Sequence, residues 1–125
     1  MYRERMETLK EWKVSKNRKP LIIRGARQVG KTWLMKEFGK LYYEKCAYIN
    51  FDNNSRMDIL FNEEFDLNRI IQGLKIESGI NIEPENTLII FDEIQETPNA
   101  LKALKYFYEN ANEYHIVAAG SLLGV

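Results

Sequence analysis

Four short apolar runs, PLIIR (20–24), CAYINF (46–51), TLIIFD (87–92) and YHIVAAG (114–120), alternate with stretches of helical periodicity. Runs of that length, rich in β-branched and aromatic residues, read as buried strands. Strands alternating with helices specify an α/β fold, a parallel sheet with helices on both faces. Three apolar stripes at helical spacing supply the cover: Leu34, Phe38, Leu41 and Tyr42; Leu67, Ile70, Ile71 and Leu74; Leu101, Leu104, Tyr108 and Ala111. A further helix from Tyr2 to about Ser15 sets Tyr2, Met6 and Leu9 on one side. Thr97 before Pro98 marks a helix start, because proline in the first turn gives up no hydrogen bond the helix would make. Residues 53–66 read as an excursion with one short helix near 57–61, and residues 80–86 as a loop.

Between the first run and the second helix lies GARQVGKT, Gly25 to Thr32, which satisfies GxxxxGK[ST] at Gly25, Gly30, Lys31 and Thr32. The competing reading is a tight turn between strand and helix. The strand before it and the helix after it are what a phosphate cradle requires, and they favour the cradle. Glycines let backbone N–H groups approach phosphate oxygens, and the following helix points its positive end at the same place. Lys31 can reach the β- and γ-phosphates, and Thr32 offers a hydroxyl to Mg²⁺. The candidate nucleotide contacts are Gly25, Ala26, Arg27, Gln28, Val29, Gly30, Lys31, Thr32 and Trp33.

A phosphate cradle needs an acid at the end of a buried strand, and LIIFDE offers two. Asp92 is the candidate second metal residue beside Thr32, and Glu93 the candidate catalytic base that polarises an attacking water, with Lys31 and Ser121 as further catalytic candidates. An exposed acidic turn is the alternative for the pair taken alone. No NKxD stretch that would read guanine occurs, so ATP is the expected nucleotide. Ser121 follows Gly120 at the end of the last run, where strand ends converge on a ligand; a capping serine is the competing reading. Asn50 is placed to hold Glu93 by a hydrogen bond, against an ordinary strand amide.

Charge narrows the partners. Eighteen basic and eighteen acidic residues cancel, which argues mildly against tight DNA binding and leaves nucleic acid undecided. The basic stretch Lys13, Lys16, Arg18 and Lys19 reads first as a solvated connection. The apolar runs are far too short to cross a bilayer, and the single Cys46 forms no internal disulfide, so a cytoplasmic protein without membrane contact is expected. His115 has no companion ligands and reads as a core residue. The chain stops at GSLLGV just past an apolar strand with no helix to cover that edge, so a fragment of a longer protein is expected.

GARQVGKT after an N-terminal helix, then LIIFDEIQE, then VAAGSLLG, resemble the AAA+ ATPases. The resemblance extends in particular to the prokaryotic group of predicted ATPases in which an AAA domain precedes a C-terminal domain of unknown function. It runs from about Arg5 to the end. It implies a three-layer P-loop NTPase fold with a parallel sheet in the order 5-1-4-3-2, four strands being present and strand 5 missing, within a single partial domain over residues 1–125. It also implies that Gly25–Thr32 is the Walker A loop, Asp92 and Glu93 the Walker B pair, and Ser121 the sensor 1 residue. Such proteins continue into a fifth strand, an arginine finger acting across a subunit interface and a helical lid. The implied partners are ATP and ADP, the missing C-terminal region and further copies of the chain. The expected function is an Mg²⁺-ATP-binding and hydrolysing module that drives conformational change in a larger protein, weak as an ATPase on its own. The alternatives are a nucleotide-binding regulatory switch and, less well supported, a P-loop kinase.

Overall fold

The computed structural model describes residues 2–23 and 29–120, with the side chains of residues 2 and 29 outside that set. In chain order these form α1 (Tyr2–Lys13), β1 (Leu21–Ile23), α2 (Val29–Tyr42), β2 (Lys45–Asn50), α3 (Ser55–Asn62), α4 (Leu67–Ser78), β3 (Thr87–Asp92), a 3₁₀ turn (Ile94–Glu96), α5 (Pro98–Asn110) and β4 (His115–Ala119). The strands build one parallel sheet in the order β1-β4-β3-β2, the order expected for a P-loop NTPase lacking its fifth strand. Register aligns the strand ends, with Ile23 opposite Ala119, Ala119 opposite Asp92, and Asp92 opposite Asn50. All four C-termini therefore meet along one edge.

Alternation along each strand divides the core into two layers. Ala47, Ile49, Phe51, Ile89, Phe91, Ile116 and Ala118 face α3, α4 and α5. Leu88, Ile90, Val117 and Ala119 face Met6 and Leu9 of α1 and Leu34, Met35 and Phe38 of α2. Both central strands are buried along their whole length, as a sheet covered on two sides demands.

Local chemistry sets the helix limits. Asn54 caps α3 by accepting the Met57 N–H, and Asp66 caps α4 by accepting the Arg69 N–H. Gly79 ends α4 at φ 73°, a left-handed conformation that glycine adopts without a side-chain penalty. Arg56 forks onto both Glu77 carboxylate oxygens at 2.7 and 2.8 Å, tying α3 to α4 and holding the Glu77 pKa down.

Three expectations shift. Leu41 is 52% exposed rather than buried, because the α2 stripe centres on Met35 and Phe38 and leaves Leu41 on its flank in the last turn. In α5 the buried row is Ala100, Ala103, Leu104 and Phe107, running on to Ala111, with Leu101 and Tyr108 only half-buried. Those α5 side chains share one buried cluster with Ile89, Phe91, Ile116 and Ala118 of the sheet and with Met57 and Phe61 of α3. The basic stretch after α1 is more than a solvated connection. Lys13 donates to the Tyr42 carbonyl at 2.6 Å, Arg18 contacts the Asn112 carbonyl, and Asn112 donates back to the Arg18 carbonyl at 2.8 Å. Lys19 lies over the Tyr108 ring.

Candidate functional site

The C-terminal edge of the sheet collects the polar groups. Asp92 is the last residue of β3 and, by alternation from Leu88 and Ile90, faces the α2 side; it is only 5% exposed. Helix α2 opens at Val29, so Gly30, Lys31 and Thr32 form its first turn, with the helix's positive end toward the same edge. The Thr32 hydroxyl donates to Asp92 Oδ2 at 2.6 Å, bridging positions 60 residues apart. Lys31 is buried at 7% exposure. A Cβ built on Gly30 would meet none of the described residues within 4 Å.

Two further contacts hold the Asp92 carboxylate. The Tyr48 hydroxyl donates to the same Oδ2 at 2.7 Å, and the Glu93 N–H donates to Oδ1 at 3.0 Å. Burial, and then the hydrogen bond to Asp92, push the Tyr48 pKa well up, which keeps the phenol protonated and a donor. Lys36 places its ammonium 4.1 Å from the centre of the Tyr48 ring.

Glu93 leaves the strand in a left-handed conformation, φ 55° and ψ 43°, rare for a residue with a side chain. Strand direction ends there, and the carboxyl turns off the sheet. Its Oε1 accepts from Gln95 Nε2 at 2.8 Å. Asn50 takes a different part from the one expected, since its side-chain oxygen accepts the Asp52 N–H at 2.9 Å. The amide that reaches Glu93 is that of Gln95, two residues on, because the 3₁₀ turn after Glu93 brings it back beside the carboxyl.

A family model of the AAA domain matches residues 17–125, nearly the whole of this architecture. The chain belongs to the AAA domain family. It is a nucleotide-binding module of the AAA+ class, and the edge just described is where its strand ends and first α2 turn converge. A structure of C. elegans PCH-2 superposes with a TM-score of 0.59 at 18% identity, covering 99% of this chain and 38% of that one. At that identity the likeness is one of fold. The chain spans well under half the length of that neighbour. No curated protein matches the sequence. No helix among the described residues is long and apolar enough to cross a membrane.

Of the candidate residues, Thr32, Asp92 and Glu93 come together, with Gly30 and Lys31 in the same first turn of α2. Trp33 is 52% exposed on the next position of α2. Arg24, Gly25, Ala26, Arg27, Gln28 and Ser121 lie outside the described residues, as does the Val29 side chain. Tyr48 and Gln95 are missing from the sequence-based set. Gln95 belongs to the quoted LIIFDEIQE, so its nearness to Glu93 was available as a signal; Tyr48 looks like any strand aromatic until register is known.

Proposed function

We propose that the chain binds Mg²⁺-ATP at the C-terminal edge of its sheet and, within a longer protein, hydrolyses it to drive conformational change. The hydrogen bond from Thr32 to Asp92 carries this reading, because it joins the two motifs that a metal-nucleotide site needs. The donor set fits Mg²⁺, a hard ion that takes one or two protein oxygens together with phosphate oxygens and waters. Thr32 and Asp92 would hold it, and when bound it neutralises charge on the phosphates.

The protein's own groups do the rest. Lys31 and the N–H groups of the first α2 turn bind the phosphates, and Glu93 polarises the attacking water and accepts its proton on a carboxylate oxygen. Further copies of the chain and a C-terminal region are the proposed partners. An arginine finger contributes about 10³ to 10⁵ in rate, so the chain alone is expected to turn over poorly. Calorimetric titration with Mg²⁺-ATP, with GTP as competitor, tests the reading beside Lys31→Ala. Binding that prefers ATP and disappears in the variant supports it, and unchanged binding by the variant rejects it.

One observation favours a second reading, a regulatory switch. Gln95 already occupies one oxygen of Glu93, so the base is engaged in this state. ATP remaining intact for hours on the complete protein would favour the switch over the hydrolase.

A further inference from the structure

Tyr48 sits on β2 directly opposite Ile90 of β3, so Asp92, two residues beyond Ile90 on the same face, is its diagonal neighbour. A diagonal cross-strand neighbour lies within reach of an aromatic side chain. The phenol spans that gap and donates to Asp92 Oδ2 at 2.7 Å, the oxygen that also takes the Thr32 hydroxyl at 2.6 Å. The opposite oxygen, Oδ1, takes the Glu93 N–H. Both ends of the carboxylate are therefore held before any ligand arrives. The ring itself is gripped, with the Lys36 ammonium 4.1 Å from its centre.

We infer that Tyr48, steadied by Lys36, is a positioning residue that presets Asp92 against Thr32 for a divalent cation. The inference rests on the Mg²⁺-nucleotide reading above. Without the phenol, the carboxylate keeps the Glu93 N–H and the Thr32 hydroxyl, but the oxygen shared with Thr32 loses its second donor, so two contacts instead of three fix the carboxyl. Hydrogen bonds that orient a metal-ligating carboxylate typically contribute about 10- to 100-fold in metal affinity or activity. Tyr48→Phe deletes one oxygen and keeps the ring, so packing against the α2 layer is preserved.

The test compares ATP affinity by calorimetry in saturating Mg²⁺ and in excess chelator, and takes the ratio of the two for the full chain. Tyr48→Phe is expected to cut that ratio roughly 10-fold or more, mostly through the Mg²⁺ arm, and Lys36→Gln to cut it less. In an Asp92→Ala background, Tyr48→Phe is expected to add nothing further, since the group it orients is gone. An unchanged ratio in Tyr48→Phe, with a clear Mg²⁺ effect in the parent, overturns this inference and leaves the nucleotide reading standing. Equal losses in both arms assign Tyr48 a structural role only and also overturn it. A parent chain with no Mg²⁺ effect sinks the metal-nucleotide reading and this inference together.

Discussion

Tyr43 and His115 share a 2.6 Å hydrogen bond inside the layer between α2 and the sheet, at the end away from the strand C-termini. Trp12 and Tyr43 meet the imidazole edge-on, and the residue is 5% exposed. Burial, with the nearby Arg18 and Lys13 charges, lowers the His115 pKa from 6.5 to about 4. Above pH 6.5 both folded and unfolded states carry the neutral ring, and its contribution is fully present. As pH falls from 6.5 to 4 the unfolded state takes a proton the folded state refuses, so stability drops by up to about 3 kcal/mol and levels off below. The chain has one histidine, which makes the test clean. Urea midpoints at pH 7, 6 and 5 should decline in the parent and stay flatter in His115→Gln, which keeps a partner for the Tyr43 hydroxyl. An equal decline in both would disprove the assignment.

Gly39 sits where α2 presses on the sheet. A Cβ there would stand 2.8 Å from Cys46 Sγ, 3.2 Å from Cys46 Cβ and 3.3 Å from Leu88 Cδ2. Alanine gains about 1 kcal/mol of helix propensity, yet overpacking costs about 1–3 kcal/mol, so Gly39→Ala should be destabilising. Cys46→Ala removes the closest atom. A double-mutant cycle by chemical denaturation should therefore give a coupling of at least about 0.5 kcal/mol in favour of the pair. Additive effects would mean the helix shifts freely off the strand.

Glu93 separates chemistry from strain. Glu93→Gln keeps the oxygen that accepts from Gln95 and the backbone as it is, but removes the base. Under the proposed function it should retain Mg²⁺-ATP binding and lose turnover by about 10²- to 10⁴-fold. Glu93→Gly also relieves the φ of 55° and should match or exceed the parent in stability, by up to about 1 kcal/mol. Steady-state ATPase rates and thermal melts on the same preparations check both. Full turnover in Glu93→Gln would remove this residue from the mechanism.

Lys31 and Thr32 are expected to fail differently although adjacent. Under the proposed function the lysine meets the phosphates with or without a cation, so Lys31→Ala should weaken ATP binding in Mg²⁺ and in chelator alike. The threonine acts with Asp92, so Thr32→Ala should weaken binding only when Mg²⁺ is present. Identical profiles for the two variants would argue against a metal role for Thr32.

Much of the architecture is legible because it is local. TLIIFD is a strand over 87–92 as its composition implies, since a sheet covered on both faces favours continuous apolar runs. GxxxxGK[ST] between a strand and a helix, and an acid at the end of a buried run, name Lys31, Thr32, Asp92 and Glu93 without coordinates. Stripe membership is less secure, as Leu41 and Phe107 show, because a helix face spans a wide arc and only the neighbour decides which part of it is covered.

The sequence by itself determined the alternation of strand and helix, the GxxxxGK[ST] motif and the acidic pair, all written in short-range spacing. Only the tertiary structure decided that Thr32 and Tyr48 converge on one oxygen of Asp92, and that Gln95 rather than Asn50 reaches Glu93. Those contacts depend on strand register and on the backbone turn at Glu93. A shift of one residue in the β2–β3 pairing would carry Tyr48 to the opposite face, and nothing in the spacing of a single strand records its alignment with the next.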